Sequence, residues 1–234
     1  MKSILNLLLT ILFFSTLNAQ TVDDFKSRAE LGDIQAQYEI GVLYIEQAYD
    51  DKKGIYWLEK SANSEYLNAI VYLANLYHGI AHQNPIKCLY YAEKAAQLGH
   101  TEMAYLAGSF YEEGIGTPVN KEMAEKYYKL SIKEAQPIAQ YKLAMFYLYE
   151  KQDKNKVKYP KVLKYLRLSA KQGYAPAQKE LGLMYAYGEG VKQDMKMSAY
   201  WIGQAIAQNN EDAKNFWVKL KLNQYVDDKL EIID

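Results

Sequence analysis

One motif of small residues and tyrosines recurs five times along the chain, and this repetition constrains the fold more than any other feature. Each copy starts at an anchor residue, which is alanine in four copies, and has glycine or alanine five positions later. The anchors are 33, 34, 36 and 38 residues apart, and this period is typical of helical hairpin repeats. The anchors are Ala36, Ala69, Met103, Ala139 and Ala177.

Two columns of tyrosine accompany the anchors. Every copy has tyrosine at plus eight, and we predict that this column packs in the core, because a periodic stripe is first of all a packing requirement. The plus-two position holds tyrosine in the first four copies and Lys179 in the fifth. The plus-eight tyrosines are Tyr44, Tyr77, Tyr111, Tyr147 and Tyr185, and the plus-two tyrosines are Tyr38, Tyr72, Tyr105 and Tyr141.

The second half of each copy has the signals of a second helix. Four of its five starting residues are aspartate or asparagine, whose side chains accept hydrogen bonds from the free amides of a helix start. Gly99 and Gly173 lie where a left-handed residue ends such a helix. The starting residues are Asp50, Asn84, Asn120, Lys158 and Asp194, and an aromatic residue follows each by seven positions, at Trp57, Tyr91, Tyr127, Tyr165 and Trp201.

The copies resemble the Sel1-like repeat family, a relative of tetratricopeptide arrays. The resemblance lies in the order of a small residue, tyrosine, glycine, tyrosine, a Gly-x-Gly turn, an aspartate cap and an aromatic residue. The first, second and fourth copies lack the double glycine. The fifth copy carries the resemblance best, at Ala177, Gly182, Tyr185, Gly188, Gly190, Asp194, Trp201 and Ala205.

The resemblance implies an all-α fold, a right-handed α-solenoid of five antiparallel helix hairpins with terminal caps. It also implies that the first helices line a concave face, which in family members generally binds proteins or peptides. We expect a signal peptide at 1–19, an N-terminal cap helix at 20–35, and a C-terminal cap helix with an acidic tail at 211–234. The expected repeats are 36–68, 69–102, 103–138, 139–176 and 177–210.

The first nineteen residues have the pattern of a secretory leader. Lys2 gives a basic start, the stretch from Ile4 to Leu17 is mostly apolar, and Ala19 offers a small residue at the cleavage position. The alternative is a single membrane anchor, but the apolar stretch is shorter than the roughly 20 residues that a span needs. We therefore expect an exported chain, periplasmic or secreted from a bacterial envelope, with no membrane span after cleavage.

Charge and cysteine content exclude other classes. Lys plus Arg equals Asp plus Glu at 28 each, so no global field draws the chain to nucleic acid. Cys88 is the single cysteine, so no intramolecular disulfide forms. Its column holds Gly, Ala, Val and Ser in the other copies, which favours a small packed side chain over a nucleophile.

The sequence contains no catalytic constellation, and we predict no catalytic, cofactor-binding or metal-binding residues. His78 and His82 have the spacing of two zinc ligands, but Gly79 and Ile80 stand where a zinc peptidase has its glutamate. The alternative function is a glycan-binding or peptidoglycan-binding envelope protein, or an enzyme with weak β-lactam hydrolysis. The sequence contains none of the motifs that would support such an enzyme, namely Ser-x-x-Lys, Gly-x-Ser-x-Gly or a paired metal-ligand motif.

Two sets of residues are candidates for binding a partner. The plus-two tyrosines either pack between hairpins or form a ladder of rings that binds a peptide or glycan. We favour packing and keep the ladder as the alternative. The insertion at 151–161 has five lysines and one aspartate, and it is either a docking loop for an anionic partner or a solvated loop. The leading hypothesis is a non-enzymatic scaffold that binds a protein or peptide. The candidate residues are Tyr38, Tyr72, Tyr105, Tyr141, Lys151, Lys154, Lys156 and Lys158.

Overall fold

In the computed structural model, the residues described are 22–47, 50–79, 83–132, 136–149 and 159–226. All regular secondary structure in these ranges is helical. The expected signal peptide and the acidic residues 227–234 lie outside them. The chain forms two compact units, one comprising Met1–Leu106 with Ile115–Thr117 and the other comprising Ala107–Gly114 with Pro118–Asp234.

The first unit is built from consecutive helices that pack on their neighbours. Helix α2 packs against α3, and α4 packs against both α3 and α5. Helix α1 lies within the range expected for the cap, and its Ala29 is buried against Ala36 and Ile40 of α2. The helices are α1 (22–30), α2 (Ile34–Glu46), α3 (Asp51–Asn63), α4 (Leu67–His78) and α5 (Pro85–Gln97), and α6 (Thr101–Glu113) begins in this unit and ends in the other.

The second unit repeats this arrangement and ends in a cap. Helix α9 packs against α8 and α10, and α11 packs against α10. The last helix and a short 3-10 helix pack on α11 and cover Ile202 and Ala205. The elements are α7 (Lys121–Ser131), α8 (Pro137–Tyr149), α9 (Tyr159–Lys171), α10 (Ala175–Tyr187), α11 (Met195–Ala207), α12 (Glu211–Lys219) and the 3-10 helix Leu222–Tyr225.

Side-chain caps begin the second helices, as the sequence predicts. The Asp50 carboxylate accepts from the Lys53 amide, and the Asn84 side chain accepts from the Lys87 amide. Asn120 and Asp194 cap α7 and α11 in the same way. Each bond satisfies an amide that has no partner within its helix. The predicted cap Lys158 lies outside the described residues.

Close contact between the two helices of a hairpin explains the small residues at plus five. A Cβ atom on Gly41 would lie 2.7 Å from Leu58 Cγ, and one on Gly182 would lie 2.5 Å from Ile202 Cγ1. Both distances are shorter than any ordinary carbon–carbon contact. The plus-five position is therefore small because the second helix occupies the space of a side chain.

The second helices end at a residue with positive φ. Gly99 and Gly173 have φ of 96° and 86°, which confirms their predicted role. In the first copy the equivalent position is Glu65, with φ of 60°. A residue with a Cβ atom is strained in this region of backbone space.

Replacing this glutamate with glycine is expected to stabilise the protein. Glu65→Gly relieves about 1–2 kcal/mol of left-handed strain and adds about 0.4–1 kcal/mol of chain entropy to the unfolded state. We therefore expect a net gain of about 0.5–1 kcal/mol in the free energy of unfolding, measured by urea denaturation. Glu65→Ala is the control, because it removes the carboxylate and keeps the Cβ atom. Equal gains in both variants would contradict the backbone explanation.

Candidate protein-binding site

Two of the plus-two tyrosines meet on neighbouring first helices. The ring centroids of Tyr38, on α2, and Tyr72, on α4, are 6.2 Å apart with an interplanar angle of 80°. Tyr66, just before α4, adds a third ring, 5.5 Å from Tyr38. Tyr38, Tyr66 and Tyr72 are all half-buried, so the rings pack on one another and still present an edge to solvent. The three rings therefore both pack against one another and form part of the protein surface.

Hydrogen bonding and burial fix the protonation of these phenols. The Tyr72 hydroxyl donates to Glu46 Oε1 at 3.1 Å. Burial first, and then this bond to a carboxylate, raise the pKa of Tyr72 well above its ordinary value. Burial likewise raises the pKa of Tyr38, with a smaller contribution from Glu39. Both hydroxyls are therefore neutral hydrogen-bond donors at physiological pH.

A shallow cleft of about 290 Å³ lies beside this pair. Asn68 and Asn75 are exposed on α4 and lie seven residues, or about two turns, apart, so their amides face the same side of the helix. A side-chain amide has both donors and an acceptor and can pair with peptide groups. We call this cleft, lined by Tyr38, Leu67, Asn68, Val71, Tyr72, Asn75 and His100, the tyrosine–asparagine cleft.

The other two candidate tyrosines lie elsewhere in the chain. Tyr141, in the second unit, is half-buried with its ring centroid 5.4 Å from that of Tyr174. Burial, followed by the nearby Glu180 charge, raises the pKa of Tyr141 to about 12. Tyr105 is a half-buried residue of α6. The structure therefore places Tyr38 and Tyr72 in one cleft and assigns Tyr141 to a different unit.

Sequence reasoning missed several residues of this surface. Tyr66 and Tyr174 each lie three positions before an anchor, and His100 occupies the same position in the third copy. This aromatic column is visible in the sequence once the register is set. His100 is half-buried, and its Nδ1 accepts from the Met103 amide at 3.3 Å, so it helps to begin α6. Asn68 and Asn75 carried no sequence signal.

The plus-eight tyrosines are only partly in the core. Tyr77 and Tyr147 are buried, but Tyr44, Tyr111 and Tyr185 are half-buried, so the core prediction is wrong for these three. At two of these three a cation at the surface contacts the tyrosine, because the Tyr185 hydroxyl accepts from Arg167 and Lys53 Nζ lies 5.5 Å from the centre of the Tyr44 ring. Tyr77 stacks on Tyr91 with an interplanar angle of 7°, Tyr111 on Tyr127 with 4° and Tyr147 on Tyr165 with 16°.

Charged side chains surround the hydroxyls of this column. Glu125 accepts from the Tyr147 hydroxyl and from Lys129 Nζ, each at 2.7 Å, and lies 3.4 Å from Lys161 Nζ. Partial burial acts to raise the pKa of Glu125, but the bonds from Lys129 and Tyr147 outweigh it and lower the pKa to about 2. In the first unit, Lys87 Nζ lies 3.0 Å from the Tyr77 hydroxyl and 3.3 Å from Glu59 Oε1.

The remaining candidates for chemistry have structural roles or lie outside the described residues. Cys88 is fully buried, which confirms its packing role, and burial raises the pKa of its thiol to about 11. His78 ends α4, whereas His82 is outside the described residues. The same is true of the lysines Lys151, Lys154, Lys156 and Lys158.

In the part of the chain that the structure describes, neither a metal-binding cluster nor a membrane-spanning helix is found. No group of three or more histidine, cysteine, aspartate or glutamate side chains there is placed to hold a metal ion. Nor does any helix in those ranges have the length and apolar character needed to cross a bilayer.

Comparison with known proteins places these features in a family context. The family model of the Sel1 repeat matches residues 34–66, 68–100, 101–135, 137–174 and 175–210. The crystal structure of a Sel1 repeat protein from Oxalobacter formigenes aligns over 87% of this chain and 61% of its own, with 25% identity and a TM-score of 0.75. That of c5321, a protective antigen of uropathogenic Escherichia coli strains displaying an SLR fold, aligns over 87% and 44%, with 22% identity and a TM-score of 0.71.

A curated relative is more distant and much longer. Chitin synthase regulatory factor 3 of Schizosaccharomyces pombe is 28% identical over 140 residues, which are 56% of this chain and 15% of that protein. The chain thus spans less than two thirds of each relative. The family matches and the structural neighbours confirm the predicted all-α solenoid of five hairpin repeats.

Loss of the Glu125 charge is expected to destabilise the protein in a pH-dependent way. Because the folded pKa is lowered, the stabilisation is present above the ordinary pKa of 4.5 and is lost as pH falls towards 2. Glu125→Gln should therefore lower the free energy of unfolding by about 1 kcal/mol at neutral pH. The difference in stability between wild type and variant should shrink as the pH falls from 4.5 towards 2. Urea denaturation across this range measures it, with the exposed Glu122→Gln as control. A deficit that does not change with pH would contradict the assignment.

Proposed function

Because this chain belongs to the Sel1 repeat family, we propose that it is an exported, non-catalytic scaffold that binds a protein or peptide partner. Sel1 repeat proteins generally mediate protein–protein interactions, and their repeat scaffold is generally non-catalytic. The observation that carries the proposal for this chain is the tyrosine–asparagine cleft of the first unit.

The cleft suits an extended peptide better than a small molecule. It is shallow and holds only about 290 Å³, near the lower limit of small-molecule pockets. Tyrosine rings supply large contact area at low entropic cost and keep a hydroxyl for recognition. Glu46 holds the Tyr72 hydroxyl in place, so the ring is preorganised for contact. The Asn68 and Asn75 amides would pair with the backbone of the bound segment.

Binding measurements on the cleft test this proposal. Residues 20–234 serve as bait in a pull-down from envelope extract, and the captured protein is then titrated against variants. Tyr72→Ala removes a half-buried contact, and we expect about tenfold weaker binding or more. Asn75→Ala alters only an exposed amide and should weaken binding without affecting folding. Tyr90→Ala is the control, because Tyr90 is 55% exposed on α5 and does not line the cleft.

Two outcomes would contradict the cleft assignment. One is equal affinity for the wild type and for both cleft variants, and the other is equal loss in Tyr90→Ala. A further variant lacking residues 151–158 tests the lysines of that segment as a second contact for an anionic partner. Its affinity should fall less steeply with salt than that of the wild type, and an unchanged salt slope would remove the lysines from the proposal.

Export is proposed from the sequence of residues 1–19. A basic start, an apolar stretch and a small residue at position 19 form the pattern that signal peptidases cleave. We expect the protein recovered from the periplasmic or secreted fraction of the native bacterium to begin at Gln20, as read by mass spectrometry of its N-terminal peptide. Recovery only from the cytosol, with Met1 retained, would contradict export.

A further inference from the structure

At two of the plus-eight tyrosines, Tyr77 and Tyr147, the polar contacts of the hydroxyl have the same pattern. In each, a lysine of the tyrosine's own copy contacts both the tyrosine hydroxyl and a carboxylate of the preceding hairpin. In the second unit, Tyr147 has Glu125 and Lys161 as these partners. In the first unit, Lys87 bridges the Tyr77 hydroxyl and Glu59. Each site therefore holds an internal ion pair beside a phenol.

At Tyr185 in the second unit, both members of this pair are missing. The lysine position, four residues before the second-helix aromatic, is occupied by Met197. The preceding second helix presents Arg167, whose Nη2 donates to the Tyr185 hydroxyl at 3.2 Å. Arg167 makes no ion pair with any residue in the described part of the chain. A guanidinium with five N–H donors thus stands two residues after the second-helix aromatic, at the position that Glu59 has in the first copy.

This guanidinium faces an open cleft of about 410 Å³. Lys192, also exposed, adds a second cation to the cleft wall. The carboxylate in the wall is that of Asp194, and its Oδ1 already accepts from the Lys196 and Met197 amides, each at 3.0 Å, as the cap of α11. The cleft therefore has an excess of positive charge. Val191 and Gln193 complete its lining.

We propose that this cleft binds a carboxylate side chain of an acidic segment in a protein partner. The carboxylate would take the place that Glu125 takes at Tyr147, accepting from the Tyr185 hydroxyl and from free N–H groups of Arg167. Arginine presents paired donors that match the two oxygens of a carboxylate. At Tyr147 and Tyr77 the chain itself supplies a carboxylate to this contact pattern, which favours a carboxylate over a phosphate as the ligand.

This inference goes beyond the proposed function, because the Arg167 cleft and the tyrosine–asparagine cleft belong to different compact units. The two sites are also chemically distinct, since the first unit's cleft offers amides and phenols and the Arg167 cleft offers cations. Either proposal can therefore fail without the other.

Fluorescence anisotropy with a labelled hexaglutamate peptide tests the site. With the chain from Gln20 onward at low salt, where charge pairs are least screened, we expect saturable binding to the wild type and none to hexaglutamine. Arg167→Gln should weaken binding about tenfold or more. Arg28→Gln is the matched control, because it removes the same charge from a guanidinium that already pairs with Asp33 at 2.7 Å. Tyr72→Ala should bind hexaglutamate as the wild type does.

A second variant tests the geometry rather than the charge alone. Met197→Glu places a carboxylate at the position from which Lys161 reaches the Tyr147 hydroxyl, and it should occupy Arg167 and block the peptide. Gln35→Glu adds the same negative charge at an exposed position of α2, in the first unit, and should change nothing. Circular dichroism and urea midpoints confirm that each variant is folded. Absence of wild-type binding, or equal loss in Arg167→Gln and Arg28→Gln, would overturn the proposal.

Discussion

Close approach of the two helices within each hairpin is the contact on which the rest of the structure depends. At Gly41 and Gly182 the facing helix comes so near that a Cβ atom would overlap Leu58 or Ile202. Gly108 meets the ring of Tyr128 in the same way, with a Cβ-to-Cδ1 distance of 2.7 Å. In the second, third and fourth copies, the plus-eight tyrosine of the first helix stacks on the aromatic residue of the second helix. The small residues at plus five, Ala74, Gly108 and Ala144, leave room for this close packing.

Polar contacts next to the anchor residue differ between copies. One buried example is the glutamine that follows the anchor. Gln140 and Gln178 accept from Gln172 and Gln208, the C-cap residues of their own copies, at 2.8 and 2.7 Å. In the first copy the C-cap residue is Ser64, which is shorter, and Gln37 Oε1 has no partner among the described residues. This glutamine pairing is therefore shared by the fourth and fifth copies and is absent among the described residues of the first.

Residues at the surface also differ between copies. The plus-two position brings together tyrosines in the first unit, but in the fifth copy it holds Lys179, which lies 3.5 Å from Asp212 of the cap helix. The hydroxyl of a plus-eight tyrosine donates to an internal carboxylate at Tyr147, whereas at Tyr185 it accepts from a guanidinium that has no ion pair among the described residues. The two proposed binding sites therefore use both kinds of position, because Tyr38 and Tyr72 belong to a column shared by four copies, whereas the other copies have no arginine at the position of Arg167.

The sequence alone determined the number of hairpins, the starts of the second helices at Asp50, Asn84, Asn120 and Asp194, and the packing of Cys88. These features are local, since a cap or a small residue acts within one or two turns of its own helix. Only the tertiary structure decided that Tyr66 joins Tyr38 and Tyr72, and that Arg167 faces an open cleft. Those contacts join residues on different helices, about one repeat apart in several cases, and their partners depend on side-chain reach across helices rather than on spacing along one.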